Sequence, residues 1–115
     1  MSGAAHYRKG ARGEYMAMAH LQLRGWYVTR SYASKGPWDL LALKRGEQPL
    51  MVQVKAGASD YMRPSARAEL LKLAHYTGSR AIVCHVPHPS ASSFESVSYV
   101  ELTTMADRVA FAVSA

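Results

Sequence analysis

The chain has 115 residues, 49% hydrophobic and 19% charged, enough for one domain with a modest core and the balance of a soluble globular protein rather than a disordered one. Its uncharged stretches are too short or too polar to cross a bilayer, and the N-terminal MSGAAHYRKGARGEYM has basic residues with no apolar run behind them, so neither a span nor a signal peptide is expected and the cytoplasm is the expected location. Fourteen Lys and Arg against eight Asp and Glu leave a formal charge of +6, which suits a polyanionic partner because each neutralised phosphate releases counterions.

From Ala11 to Leu23 the chain is rich in Ala, Met and Leu and free of proline, which predicts a helix ending before Gly25. Glu14, Met18 and Leu21 fall on one face of it at i, i+4 and i+7. That puts a carboxylate on an apolar stripe, with solvent or an arginine such as Arg12 as its ordinary partner. Trp26 to Ser31 (WYVTRS) reads as a strand and YASKGP as a loop. Asp39 to Leu43 and Leu50 to Lys55 read as two more strands, joined by a hairpin over KRGEQP.

Gly57 to Arg63 reads as a loop in which Tyr61 and Met62 are candidates for an apolar dimer contact. Pro64 opens a helix to about Tyr76, with Leu70, Leu71, Leu73 and Ala74 apolar and Gly78 closing it. Ala81 to Val86 is a buried strand, PHPSASSFES a loop and Val97 to Leu102 a further strand. Thr104, with Asp107 three residues on, is the expected N-cap of a last helix to about Val113. The order is α-β-β-β-α-β-β-α, a mixed α/β single domain over residues 1–115. The single cysteine, Cys84, excludes an internal disulfide, and no Cys/His spacing suits zinc. His85 and His88, among prolines, read as solvated imidazoles at a strand end. Arg63, Arg67, Lys72 and Arg80 each read singly as solvated surface, and Trp26, Tyr27 and Trp38 as core or rim packing.

The stretch WDLLALKRGEQPLMVQVK concentrates the chemistry. Alternation sends Gln53 and Lys55 to the same side of their strand, and a hairpin register consistent with the apolar pattern sets Asp39 beside them. Leu40, Ala42, Val52 and Val54 then cover the other face. Taken singly, Asp39 reads as a turn cap or a partner of Lys35, Gln53 as a polar surface residue and Lys55 as an edge-strand lysine. Together they interrupt a face otherwise bearing Leu41, Leu43 and Met51. Hydrolysis of a phosphodiester at neutral pH calls for a divalent metal with oxygen ligands, and an adjacent ammonium stabilises developing charge. An acid on one strand, a ligand-x-Lys on the next and a helix-borne glutamate make a minimal set for that reaction.

With RKGARGE (Arg8 to Glu14), RSYASKGPWDLLAL (Arg30 to Leu43) and VQVK (Val52 to Lys55), the sequence resembles the PD-(D/E)XK nuclease superfamily. Within it, the resemblance is to the archaeal-type Holliday junction resolvases, including phage versions, over roughly residues 7 to 86. The resemblance implies a restriction-endonuclease-like domain and a homodimer that cuts four-way DNA junctions with Mg²⁺, for which Mn²⁺ can substitute. It implies Asp39 as the main metal ligand, Lys55 at the nucleophilic water, Glu14 as a helix-borne acid and Ser34 as a catalytic loop serine. Gln53 and the Val54 carbonyl would complete the metal ligands. Arg8, Lys9, Arg12, Arg30, Lys35, Arg63 and Arg67 would meet DNA.

Two positions depart from the family pattern. Trp38 separates Pro37 from Asp39, and Gln53 stands where a carboxylate is usual. An amide oxygen can ligate a hard cation but carries no charge, so weaker metal binding is expected. Two rivals stay open: a related nuclease acting on other DNA structures, and a non-catalytic DNA-binding protein with a lapsed site.

Overall fold

In the computed structural model, which describes residues 3–31, 36–89, 96–103 and 108–113, two helices are each followed by three strands. They are α1 (Gly3–Gln22), β1 (Tyr27–Arg30), β2 (Leu40–Leu43), β3 (Leu50–Ala56), α2 (Pro64–Thr77), β4 (Arg80–Val86), β5 (Ser98–Leu102) and β6 (Arg108–Ala110). The first helix begins eight residues before the expected Ala11. Gly10 costs that helix roughly 1 kcal/mol relative to alanine but does not break it, and no proline intervenes. Both helices stop on a glycine in the left-handed region: Gly25 at φ 89° and Gly78 at φ 70°. In each case the next two N–H groups return to the last turn, Gly25 to Gln22 and Trp26 to Leu21, Gly78 to His75 and Ser79 to Ala74.

The strands lie side by side in sequence order, β1 to β6. Every neighbouring pair is antiparallel except β3 and β4. A parallel pair needs a crossover, and α2 supplies it. Alternation along the strands then builds two apolar layers. Leu40, Ala42, Val52, Val54 and Ile82 pack with Met16, Ala17 and Leu21 of α1, whereas Met51, Ala81 and Val83 pack with Leu70 and Ala74 of α2. Fully burying each Leu, Ile, Val or Met among them contributes about 1.5–3 kcal/mol. Leu50, Met51 and Val52 are all buried, so β3 is covered on both faces. Gln53 and Lys55 are therefore polar interruptions in a central strand rather than members of a wet face.

The chain's last described element differs from expectation. Residues Arg108–Ala110 form β6 against β5, with Val100 opposite Ala110 and Leu102 opposite Arg108. The segment RVAFAV carries β-branched and aromatic residues at alternate positions, and the edge of β5 offers backbone partners that a short terminal helix would lack. Phe111 continues the ladder through its N–H to the Tyr99 carbonyl, and Phe111 and Val113 pack on the α1-side core. Thr104 and Asp107, the expected cap, lie outside the described residues. Met62 is not free for a dimer contact. It is 9% exposed and packs beneath α2, while its neighbour Tyr61 is exposed. Among the described residues no helix is long and apolar enough to cross a membrane.

Candidate active site

The hairpin register is the one the apolar pattern required. Leu40 faces Val52 and Leu41 faces Met51, and the Asp39 N–H donates to the Val52 carbonyl at 2.8 Å, which sets Asp39 across from Gln53. Where the β2 backbone ends, the Asp39 side chain takes its place: Oδ2 accepts the Val54 N–H at 2.8 Å. The carboxylate is thereby fixed on the β3 backbone at Val54, the residue before Lys55. In an extended strand a residue's N–H and C=O point to the same side. The Val54 carbonyl therefore shares the side on which Asp39 sits. Gln53 and Lys55 are half-buried.

Asp39 is one of two buried polar side chains among the described residues, 9% exposed. Burial pushes its carboxyl up to about 6; the Val54 N–H pulls it back, the Glu14 charge pushes it further up, and Lys55 and Arg30 pull it down. Each of these groups is therefore near enough to act on the carboxylate electrostatically. A carboxylate held in a place that disfavours its charge, with a lysine and a second acid around it, is a mark of a reactive site.

Glu14 arrives from α1. Its partner is Arg30 of β1 rather than Arg12. Arg30 Nε and Nη2 donate to Oε1 at 3.3 and 3.2 Å, and Nη1 donates to the Tyr15 hydroxyl at 2.9 Å. The guanidinium also lies over the Tyr15 ring, 4.6 Å from its centre. Sequence spacing within α1 could not show this, because Arg30 joins Glu14 through the packing of helix on sheet. Arg30, expected on DNA, is thus engaged with the helix-borne acid. Arg12 and Arg63 are exposed, and Arg63 stands at the N-terminus of α2. Arg67 donates to the Thr103 carbonyl at 2.7 Å and so ties α2 to the end of β5. Arg80 is no solvated residue either: it grips Glu101 through two hydrogen bonds and covers the Phe111 ring. Ser34, Lys35 and the Arg8 and Lys9 side chains lie outside the described residues.

One neighbour of the site escaped the sequence reading. His85 is opposite Lys55 in the parallel β3–β4 register. It is half-buried rather than solvated, and its Nε2 donates to the Gly57 carbonyl at 2.7 Å. The Gly57 N–H in turn donates to the Val86 carbonyl. The turn that leaves Lys55 is therefore anchored on β4. The signal in the sequence was only that a histidine ended an apolar strand, which does not reveal a parallel neighbour.

The donor set bears on a metal. No group of three or more His, Cys, Asp or Glu suited to a metal exists among the described residues, so a closed protein cage is not built from them. Asp39, Glu14, the Gln53 amide and the Val54 carbonyl are oxygen donors only. That set fits a hard cation such as Mg²⁺, which keeps several waters and takes one or two carboxylates, and it does not fit a thiolate or imidazole metal.

No family model and no curated protein matches the sequence. A solved structure does share the fold: Archaeoglobus fulgidus Hjc, a Holliday junction resolvase from an archaeal hyperthermophile, with a TM-score of 0.60 and 21% sequence identity, covering 83% of this chain and 78% of that one. At that identity the likeness speaks to architecture alone, a restriction-endonuclease-like mixed sheet flanked by helices.

Proposed function

We propose that the protein is a Holliday junction resolvase, a metal-dependent endodeoxyribonuclease that cuts four-way DNA junctions by paired, symmetric incisions. The observation that carries this reading is the Asp39 carboxylate, buried against the Val54 N–H and set across from Gln53 with Lys55 two residues on. Its agreement with a resolvase fold supports the choice of substrate.

Asp39, with Glu14, the Gln53 amide oxygen and the Val54 carbonyl, would hold Mg²⁺, for which Mn²⁺ can substitute. When bound, that ion supplies Lewis acidity and offsets charge on the phosphoryl oxygens. The protein's own groups do the remainder. The Lys55 ammonium orients the attacking water and stabilises the negative charge that develops on the phosphoryl oxygens. Arg30 holds the Glu14 carboxylate through two hydrogen bonds. Water adds to phosphorus as the bond to the 3′-oxygen breaks, leaving a 5′-phosphate and a 3′-hydroxyl. Ser34 would assist near the scissile phosphate, and Arg8, Lys9, Arg12, Lys35 and Arg63 would contact the backbone. Recognition then rests on phosphate geometry rather than on base edges. A two-fold homodimer acting on DNA in the cytoplasm would place two such sites symmetrically on the junction.

The test is incubation with a synthetic four-way junction and a matched linear duplex under Mg²⁺, Mn²⁺ or EDTA. Paired, metal-dependent nicks confined to the junction are expected. Cleavage of linear or flapped DNA at the same rate would favour a related nuclease. Gln53, one charge short, supports a second reading, a DNA-binding protein with a lapsed site; tight binding with no cutting under any metal would establish it.

A further inference from the structure

We infer that Gly13 is a positioning residue, a notch in α1 that sets how closely Glu14 approaches the tip of β3. The inference rests on the resolvase reading of that site. A methyl group added at Gly13 would lie 2.8 Å from the Ala56 Cβ and 3.8 Å from both the Ala56 Cα and the Val54 Cγ1. Carbon atoms in contact settle at about 3.5–4.0 Å, and the Ala56 Cβ is fixed to its backbone, so no side-chain rotation opens the space.

Either the strand or the helix must give. The strand is held from its other side: Lys55 and Ala56 pair with His85 and Val86, the Gly57 N–H bonds the Val86 carbonyl at 3.0 Å, and His85 holds the Gly57 carbonyl at 2.7 Å. The helix is therefore the part that moves. Glu14 is the next residue, so it would be carried off the position in which Arg30 holds it at 3.2 Å. Helix propensity runs the other way, since alanine is preferred to glycine inside a helix. Gly10 makes the contrast within the same helix, for an added methyl there meets nothing within 4 Å. Of these two glycines, only at Gly13 does close approach account for the missing side chain.

The test compares wild type with Gly13→Ala, the double variant Gly13→Ala/Ala56→Gly, and Gly10→Ala. Crystal structures report the position of α1, and single-turnover cleavage of a four-way junction reports the rate, with junction affinity measured alongside. Gly13→Ala is expected to displace α1 and to lower the cleavage rate at saturating junction by roughly 10²-fold, the penalty of an ångström-scale misplacement, with affinity little changed. The double variant moves the methyl from strand to helix and is expected to restore both the helix position and the rate. Gly10→Ala leaves α1 in place. An unmoved helix in Gly13→Ala overturns the inference, and so does a wild-type rate from a displaced one. Where Gly13→Ala does not fold, the volume-conserving double variant decides: folded and fast supports the notch, folded and slow overturns it. A wild type that binds junctions and never cuts them sinks the resolvase reading instead, a result distinct from all of these.

Discussion

A carboxylate enclosed on most sides and given one backbone N–H is poorly placed to be ionised, and Asp39 is in that position. Its pKa rises from 3.8 to about 6, chiefly through burial. Between those values the folded, metal-free protein holds a proton that the unfolded chain has released. The stabilising contribution of this group is thus complete below pH 3.8 and is lost as the pH rises through about 6. Asp39→Asn keeps an acceptor for the Val54 N–H and removes the charge. In EDTA at pH 8 it should be more stable to urea than wild type by on the order of 2 kcal/mol, with the gap closing toward pH 4. The same variant should bind junctions and fail to cut them. Equal stability at both pH values would show that burial does not strain the carboxylate. Gln53 is the converse case, a neutral group where charge would help a cation. Gln53→Glu should lower the metal concentration for half-maximal cleavage by about tenfold, or roughly 1.4 kcal/mol; an unchanged titration would remove residue 53 from the ligands.

Strand β3 and its neighbours show what a sequence can and cannot reveal about such a site. The β2–β3 hairpin was legible because two constraints agreed: Gly46 supplied a turn residue, here at φ 81°, and one register alone kept Leu40, Ala42, Val52 and Val54 together on a buried face. Asp39, Gln53 and Lys55 followed from that register. The parallel neighbour was not legible in the same way, since β4 reaches β3 only through a helix and no turn fixes its offset. That is why His85 read as solvated while it in fact anchors Gly57 beside Lys55. The Arg30–Glu14 pair was hidden for a similar reason, being made between layers. The last element misled because a capping pattern is local, and the edge of β5 outweighed it. His85→Leu leaves the half-buried Gly57 carbonyl unmet, at a cost of about 1–3 kcal/mol. It should lower the thermal midpoint and the cleavage rate together, whereas a loss of neither would mean that the turn after Lys55 holds itself.

A net charge of +6 on a chain of this size draws in any polyanion, so affinity alone says little about where DNA lies. Salt dependence says more, because each phosphate contact contributes about −0.9 to the slope of log K against log salt on B-form DNA. Arg63 is exposed at the start of α2, with no cap bond from its side chain. Arg30 has its guanidinium on Glu14 and Tyr15. The two arginines should therefore separate. Arg63→Ala should weaken junction binding evenly across sequences and reduce the magnitude of the slope by about 0.9 per protomer. Arg30→Ala should leave the slope close to wild type and raise the metal concentration needed for cleavage, because it frees Glu14 to leave the site. Filter binding between 50 and 200 mM salt, set beside a metal titration of cleavage, tests both at once. A slope change in Arg30→Ala equal to that in Arg63→Ala would mean that Arg30 releases Glu14 and takes a phosphate when DNA arrives, and the Glu14 contact would then belong to the free protein alone.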